Sequence, residues 1–377
     1  MDTAEFLEAG KQLVEYIARY RTGILPSASN VRSTVAPGFL TDTDAMATMP
    51  ERGAEWDEIF AEFERLIVPG LTHWESPRFF AYFKPHASYP SVLGEMLSAG
   101  LNVMGFSWTA SPSCTELESV TLDWLAQLIQ LPAAFHNRSE GKGGGVIQGS
   151  AGESCIVAML AARARTLATW RARPAGSDVS TATPTLVAYS SDQGHSIVDK
   201  AALVLGDGVV LRKLATLAED SFALQTSVLR DAIRADRAAG RLPFFVFATV
   251  ATTSTCACDP LRAIAAVCAA DGVAEGASVS CAPWLHLDAA YGGAYAVCPE
   301  FRDTVFDGME LVDSLVVNCH KKLLVSFDCA AMWVRDRSAL LAVSCDFSMF
   351  YRVTQFMRIL LTIGLAPSPH IFTSSCF

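Results

Sequence analysis

Hydrophobic and polar positions follow two different rhythms along this chain. Phe6, Leu7, Leu13, Val14, Ile17 and Ala18 recur at helical spacing, predicting an amphipathic helix over residues 5–21. A stretch marked by Pro26, Pro37, Gly38 and Pro50 predicts a linker, and a second amphipathic helix over 56–67 stops at Pro69-Gly70. Two short helices and a linker cannot enclose a core, so their apolar faces must pack on something else. From about residue 72 to 335 the rhythm changes. Short β-branched and aromatic runs predict buried strands at 145–148, 185–189, 244–250 and 314–317, with Trp284-Leu285 opening another. Helical stretches over 154–166 and 224–239 lie between them. Strands alternating with helices imply an α/β fold with a mainly parallel, doubly covered sheet and a functional site at the strand C-termini.

Composition narrows the class. The 377 residues are 51% hydrophobic and 18% charged, enough for a large core with an appendage and unlike a disordered chain. The net charge of −10 contains no basic block, which argues against nucleic acid or an anionic membrane as partner. No apolar run reaches the ~18 residues of a membrane span. The acidic start Met1-Asp2-Thr3-Ala4-Glu5 lacks the basic, then apolar, pattern of a signal peptide, so a cytoplasmic location is expected. Eleven cysteines are scattered through apolar segments and read as buried thiols in a reducing compartment. Cys256 and Cys258 alone are close, a poor zinc signal, and no metal is expected. Gly141 to Gly145 fits neither a P-loop nor a dinucleotide fingerprint.

Several segments carry candidate chemistry. Asn318-Cys319-His320-Lys321 and His286-Leu287-Asp288-Ala289-Ala290-Tyr291 each follow an apolar run. Most lysines and aspartates sit solvated at the surface, but these two are framed as if buried at strand ends. A lysine amine that can form a Schiff base and an aspartate that can keep a pyridine nitrogen protonated are what pyridoxal phosphate requires. Gln148-Gly149-Ser150-Ala151-Gly152-Glu153 ends a strand and opens a helix, with Ser150 and Glu153 at capping-box spacing and small residues that let backbone N–H groups approach an anion. Alone this is weak, since many helices begin so with nothing bound. His195 after one strand and Thr252, Thr253, Ser254 and Thr255 after another are polar strand ends; alone, such a histidine is more often structural than catalytic, and a structural reading is nearly as good for any one of the threonines.

Together the lysine and aspartate segments resemble the group II pyridoxal-phosphate-dependent decarboxylases, and their surroundings resemble the aromatic L-amino-acid decarboxylase branch. The resemblance runs from about Phe6 to Arg337 and is most specific over 69–83, 105–118 and the segment after Lys321. It implies a large domain of the PLP-dependent transferase-like fold (the type I fold of aspartate aminotransferase) with a seven-stranded sheet and an N-terminal helical arm. The division it suggests is a helical dimerisation segment over 1–85, a cofactor-binding domain over 86–341 and a divergent tail over 342–377. It implies Lys321, His195 and Asp288 as catalytic residues, His195 stacking on the pyridine ring. Ala151, Gly152, Thr253, Ala290, Asn318 and His320 would join these three around the cofactor. The family usually has Ser or Thr where Gly152 stands, so a hydroxyl is lost from the phosphate cradle. Lys322 stands in place of the usual tryptophan, an added cation that favours deprotonation of the Schiff base.

The implied reaction is decarboxylation of an aromatic L-amino acid (tyrosine, DOPA, tryptophan or phenylalanine) to the amine and CO2, in a homodimer. Trp74, Tyr82 and Phe83 match positions lining the aromatic pocket; Met104 and Phe106 match positions contributed by the partner subunit. Phe79 and Phe80 read as core. An aromatic aldehyde synthase of the same family is the alternative reaction. After about Leu341 the resemblance ends, and neither the family's mobile catalytic loop nor its small C-terminal domain is recognisable. Tyr351 has the wrong context for the loop tyrosine. A catalytically impaired, cofactor-binding remnant is therefore a further alternative.

Overall fold

The computed structural model describes residues 1–24, 30–43, 48–173, 183–272 and 281–343. Tyr351 and the tail from 344 onward, with Cys345 and Cys376, lie outside the described residues, as does Pro26 of the linker. The chain divides into two compact units, Met1–Lys84 and Pro85–Phe377.

In the first unit, Thr3–Arg19 forms the expected helix, with Asp2 as its N-cap accepting the Ala4 and Glu5 N–H groups at 2.8 and 2.9 Å. A second helix, Trp56–Glu62, continues as a wider turn through Phe63–Ile67. Tyr16 joins the two, edge-on to Phe60 at 5.3 Å and to Phe63 at 5.8 Å. Phe6, Leu7 and Val14 remain exposed. Phe80, expected in the core, is 89% exposed, whereas Phe79 is buried and stacks on Trp74 at 4.6 Å. A unit this small has too little apolar mass to cover five consecutive hydrophobic residues.

The second unit is built on one mixed sheet of seven strands: β1 Gly144–Gln148, β2 Leu186–Ser191, β3 Val209–Leu214, β4 Leu242–Thr249, β5 Trp284–Asp288, β6 Ser314–Asn318 and β7 Ala330–Val334. The spatial order is β1-β7-β6-β5-β4-β2-β3. Strands β3, β2, β4, β5 and β6 run parallel, and β7 is antiparallel to both of its neighbours. The sequence pointed to β1, β2, β4, β5 and β6 through their apolar runs but gave no strand for β3, whose half-exposed edge position needs no such run, or for β7.

Alternation along the strands sorts the side chains onto two faces. Val246, Ala248, Leu285, Leu287, Val317 and Trp333 share one core cluster with the Pro112–Leu128 and Leu261–Gly272 helices. Phe245, Phe247, Trp284, Met332 and Val334 share the other with the Ala151–Arg171 and Ile197–Leu205 helices. The long helix meets the sheet through Ala158, Ala161 and Ala162, all fully buried, and these small side chains bring its axis close. That second face ends, at the strand C-termini, in Thr249, Asp288 and Asn318.

Candidate active site

Asp288 is the last residue of β5 and is 5% exposed. Its Oδ1 accepts the Ala290 N–H at 3.0 Å. Burial pushes this carboxyl above the usual carboxylate range, opposed by the Lys321 ammonium, the Ala290 N–H and His195. Lys321 lies on the next strand's exit, in the short helix Cys319–Lys322 that follows β6. Burial pulls its amine below the usual lysine value, and the Asp288 carboxylate opposes that shift. A buried amine that sheds its proton readily is the form of lysine that attacks a carbonyl.

His195 follows β2 and completes the group. Desolvation draws its pKa down, Asp288 draws it up, and Lys321 adds to the lowering. Each of the three thus lies within electrostatic reach of the other two. Its Nδ1 accepts the Ile197 N–H at 3.2 Å, which assigns the remaining ring proton of the neutral form to Nε2. The residue as a whole is exposed in the single chain.

The helix Ala151–Arg171 starts above this group. Ala151 packs with Ala290, Val316 and Ala330 in a small cluster of their own. Ser150 Oγ accepts the Glu153 N–H at 3.2 Å, the N-cap half of the expected capping box, while Glu153 Oε2 accepts the N–H of Gly149, one residue before the cap, at 2.8 Å. The N–H groups of Ala151 and Gly152 belong to the first turn and have no intrahelical acceptor, which is the arrangement an anion can use. A Cβ placed on Gly152 would meet Ser150 Oγ at 3.4 Å and Ile197 Cγ2 at 3.7 Å, both ordinary contacts. That position therefore has room for the first carbon of a side chain.

His320 is buried, its Nδ1 accepting the Cys329 N–H at 2.9 Å, with a pKa pushed down to about 4 mainly by burial. It is neutral at physiological pH. Asn318 is 5% exposed, and its Oδ1 has no hydrogen-bond partner. Thr253 is exposed in the turn after β4; the buried threonine of that turn is Thr252, whose Oγ1 accepts the Ala257 N–H at 3.0 Å and lies 2.8 Å from Thr255 Oγ1. Lys322 sets its ammonium over the Tyr291 ring, 5.5 Å from the centroid, while burial and Asp288 account for the shift of Lys321.

Among the proposed substrate residues, Trp74 stacks on Tyr82 at 5.7 Å within the first unit, and Phe83 is half-buried there. Met104 and Phe106 belong to the second unit and are exposed, just beyond the Tyr89–Leu101 helix. Sequence reasoning missed a brace on the lysine segment. The His86 N–H donates to the His320 carbonyl at 2.9 Å, the Ser88 N–H to the Leu324 carbonyl at 3.0 Å, and Ser91 Oγ accepts the Ser326 N–H at 2.8 Å. Backbone pairing of this kind leaves no mark on side-chain pattern. Cys155, fully buried, was also missed; desolvation and the neighbouring Asp288 charge raise its thiol well above the ordinary value, so it stays protonated and inert. Nor are all the thiols buried, since Cys256 is exposed, although the nine described cysteines are free as expected.

Whether these residues fit the implied cofactor is decided by what they leave open. A buried carboxylate with one hydrogen bond suits a pyridinium, the first-turn N–H groups suit a phosphate, and the unpartnered Asn318 oxygen calls for a polar ligand. Lys321 has an amine of the kind a Schiff base needs. The group and the sheet that carries it define a pyridoxal-phosphate enzyme of the type I fold. A model of the pyridoxal-dependent decarboxylase conserved domain matches residues 37–355, and the chain belongs to that family. It is 44% identical over 340 residues to the aromatic-L-amino-acid decarboxylase of Mus musculus, covering 90% of this chain and 67% of that one. It is 45% identical over 339 residues to a 3,4-dihydroxyphenylacetaldehyde synthase of Drosophila melanogaster, covering 89% of this chain and 62% of that one. Among solved structures, Catharanthus roseus tryptophan decarboxylase in complex with L-tryptophan superposes with a TM-score of 0.84 at 34% identity, over 99% of this chain and 77% of that one. The chain thus spans about two thirds of the mouse enzyme's length.

Proposed function

We propose that this chain is a carboxy-lyase that converts an aromatic L-amino acid to its amine and CO2, using pyridoxal 5'-phosphate held on Lys321. The observation that carries the reading is the convergence of Lys321, Asp288 and His195 at three strand ends, under a helix start that can hold a phosphate. When bound, the cofactor supplies an electrophilic aldehyde and a ring able to take up the electron pair left as CO2 departs. Lys321 contributes the amine that holds it covalently. Asp288 would keep the ring nitrogen protonated, an interaction that burial strengthens. His195, neutral and flat, covers the ring and presents its Nε2–H toward a substrate carboxylate. Ala151 and Gly152 donate backbone N–H groups to the phosphate, and Asn318, Thr253 and His320 are the further residues proposed to contact the cofactor. Ala290 backs the ring. One proton is consumed per turnover and is delivered to the carbon that lost CO2.

The aromatic relatives favour an aromatic side chain, with Trp74, Tyr82 and Phe83 as the proposed pocket and Met104 and Phe106 reaching it from a second copy of this chain. The exposed apolar residues Leu93, Met96, Leu97, Leu101, Met104 and Phe106 support a homodimer. Free thiols including the exposed Cys256 suit a reducing cytoplasm.

The identity with the insect aldehyde synthase favours a second reading, in which O2 and water are consumed and the products are the aldehyde, CO2, ammonia and hydrogen peroxide. Incubating the PLP-loaded protein with tyrosine, tryptophan, DOPA and phenylalanine while measuring amine, aldehyde and peroxide separates the two. Amine without peroxide is expected. Turnover of glutamate or cysteine sulfinate alone contradicts the aromatic assignment.

A further inference from the structure

Thr249 closes β4, and its side chain is 4% exposed with an Oγ1 that has no hydrogen-bond partner. Its backbone is locked. The Thr249 N–H donates to Asp259 Oδ2 at 2.8 Å, the Asp259 N–H returns a bond to the Thr249 carbonyl at 2.9 Å, and Asp259 Oδ1 takes the Leu224 N–H at 2.8 Å. Strand register then fixes where the hydroxyl can be. Thr249 pairs with Asp288 across the parallel β4–β5 ladder, and alternation places both on the face shared by Phe245, Phe247 and Trp284. A β-branched side chain has little rotamer freedom with which to escape.

An orphaned buried hydroxyl is costly, because folding strips it of water and returns nothing. Valine would fill the same volume without that cost. The unpartnered groups are also not scattered at random: Thr249 Oγ1 and Asn318 Oδ1 flank Asp288 on the two adjacent strands, at the same end of the sheet. The Asp288 carboxylate itself accepts one hydrogen bond among the described residues, from Ala290.

We infer that Thr249 is a positioning residue for the cofactor, its hydroxyl donating to the Asp288 carboxylate when the ring nitrogen is engaged and so holding that carboxylate ionised and aimed. The inference rests on the pyridoxal-phosphate reading and adds to it a residue that acts through Asp288. Its signature is opposite effects on the empty and the loaded protein. The hydroxyl burdens the first and serves the second.

The test compares wild type, Thr249→Val and Thr249→Ser, each stripped of cofactor and reloaded with pyridoxal 5'-phosphate. Empty T249V is expected to melt at or above the empty wild type, yet to bind the cofactor about 10- to 100-fold more weakly, the span of one hydrogen bond to a charged group. T249S, which keeps the hydroxyl, is expected to bind within about 3-fold of wild type. The absorbance of bound cofactor in T249V should also titrate at higher pH, since a less firmly charged Asp288 holds less positive charge on the ring. T249V that loads as tightly as wild type, with an unshifted titration, overturns the role of Thr249 while leaving the cofactor reading intact. Empty T249V that melts clearly below wild type overturns it as well, by showing that the hydroxyl serves the fold. A wild-type chain that takes up no cofactor overturns both the inference and the reading beneath it.

Discussion

Asp288 shows how one position carries several demands. Its burial makes ionisation unfavourable, and Lys321, the Ala290 N–H and His195 are the groups that favour the charge a pyridinium would need. Asp288→Asn keeps the shape and removes the charge. It is expected to retain some cofactor but to lower kcat by roughly 10³-fold or more, a loss of the size seen when a preorganised electrostatic partner is removed. Single-turnover amine release measures it. Gly152 makes the opposite prediction. A Cβ there meets only ordinary contacts, and a serine would add a hydroxyl at the helix start, so Gly152→Ser should tighten cofactor binding by about 10-fold or more, the worth of one hydrogen bond to a charged phosphate. Equilibrium titration with pyridoxal 5'-phosphate reads it directly. At this scale the sequence was informative where chemistry demands a residue type, as at Lys321, Asp288 and His195. It was silent where only the surroundings matter. Thr249 reads as the last letter of an apolar strand, and nothing in that string reveals that its hydroxyl is left without a partner.

At the level of elements, the site is held by strand ends and by what anchors them. Asp259 ties the end of β4 to Leu224 through two backbone N–H groups, and burial pushes its carboxyl up to about 6 from an ordinary 3.8. Between those values the folded chain keeps a proton that the unfolded chain releases, so the stability owed to this group is greatest below about pH 4 and falls as pH rises through 6. Asp259→Asn, which does not titrate and turns an amide N–H toward one of its two donors, should be destabilised by about 1–3 kcal/mol at acid pH. Its deficit relative to wild type should then shrink by on the order of 3 kcal/mol toward neutral pH. Urea melts of both proteins across that range test the sign as well as the size. The elements themselves were largely legible, because β4 and β6 are unbroken apolar runs and the long helix announces itself with Ser150 and Glu153. Strand β3 was not, since Arg212 and Lys213 interrupt its pattern at a half-exposed sheet edge. The brace from His86, Ser88 and Ser91 onto the lysine segment was not either, being made mostly of main-chain atoms.

For the molecule as a whole, exposed apolar residues are the feature that most needs an explanation. Leu97 and Leu101 on one helix, and Phe6 and Leu7 on another, are each about half exposed or more in the single chain. A homodimer that covers the first pair predicts that Leu97→Glu shifts sedimentation from dimer toward monomer, and that activity falls with it because Met104 and Phe106 would no longer reach a neighbouring site. A wild-type chain that sediments as an active monomer contradicts that arrangement. The central claim, however, concerns one bond. Reducing the pyridoxal-phosphate-loaded protein with borohydride and mapping its peptides should place the cofactor on Lys321 alone; a label on Lys322 or elsewhere, or no label at all, would contradict the account.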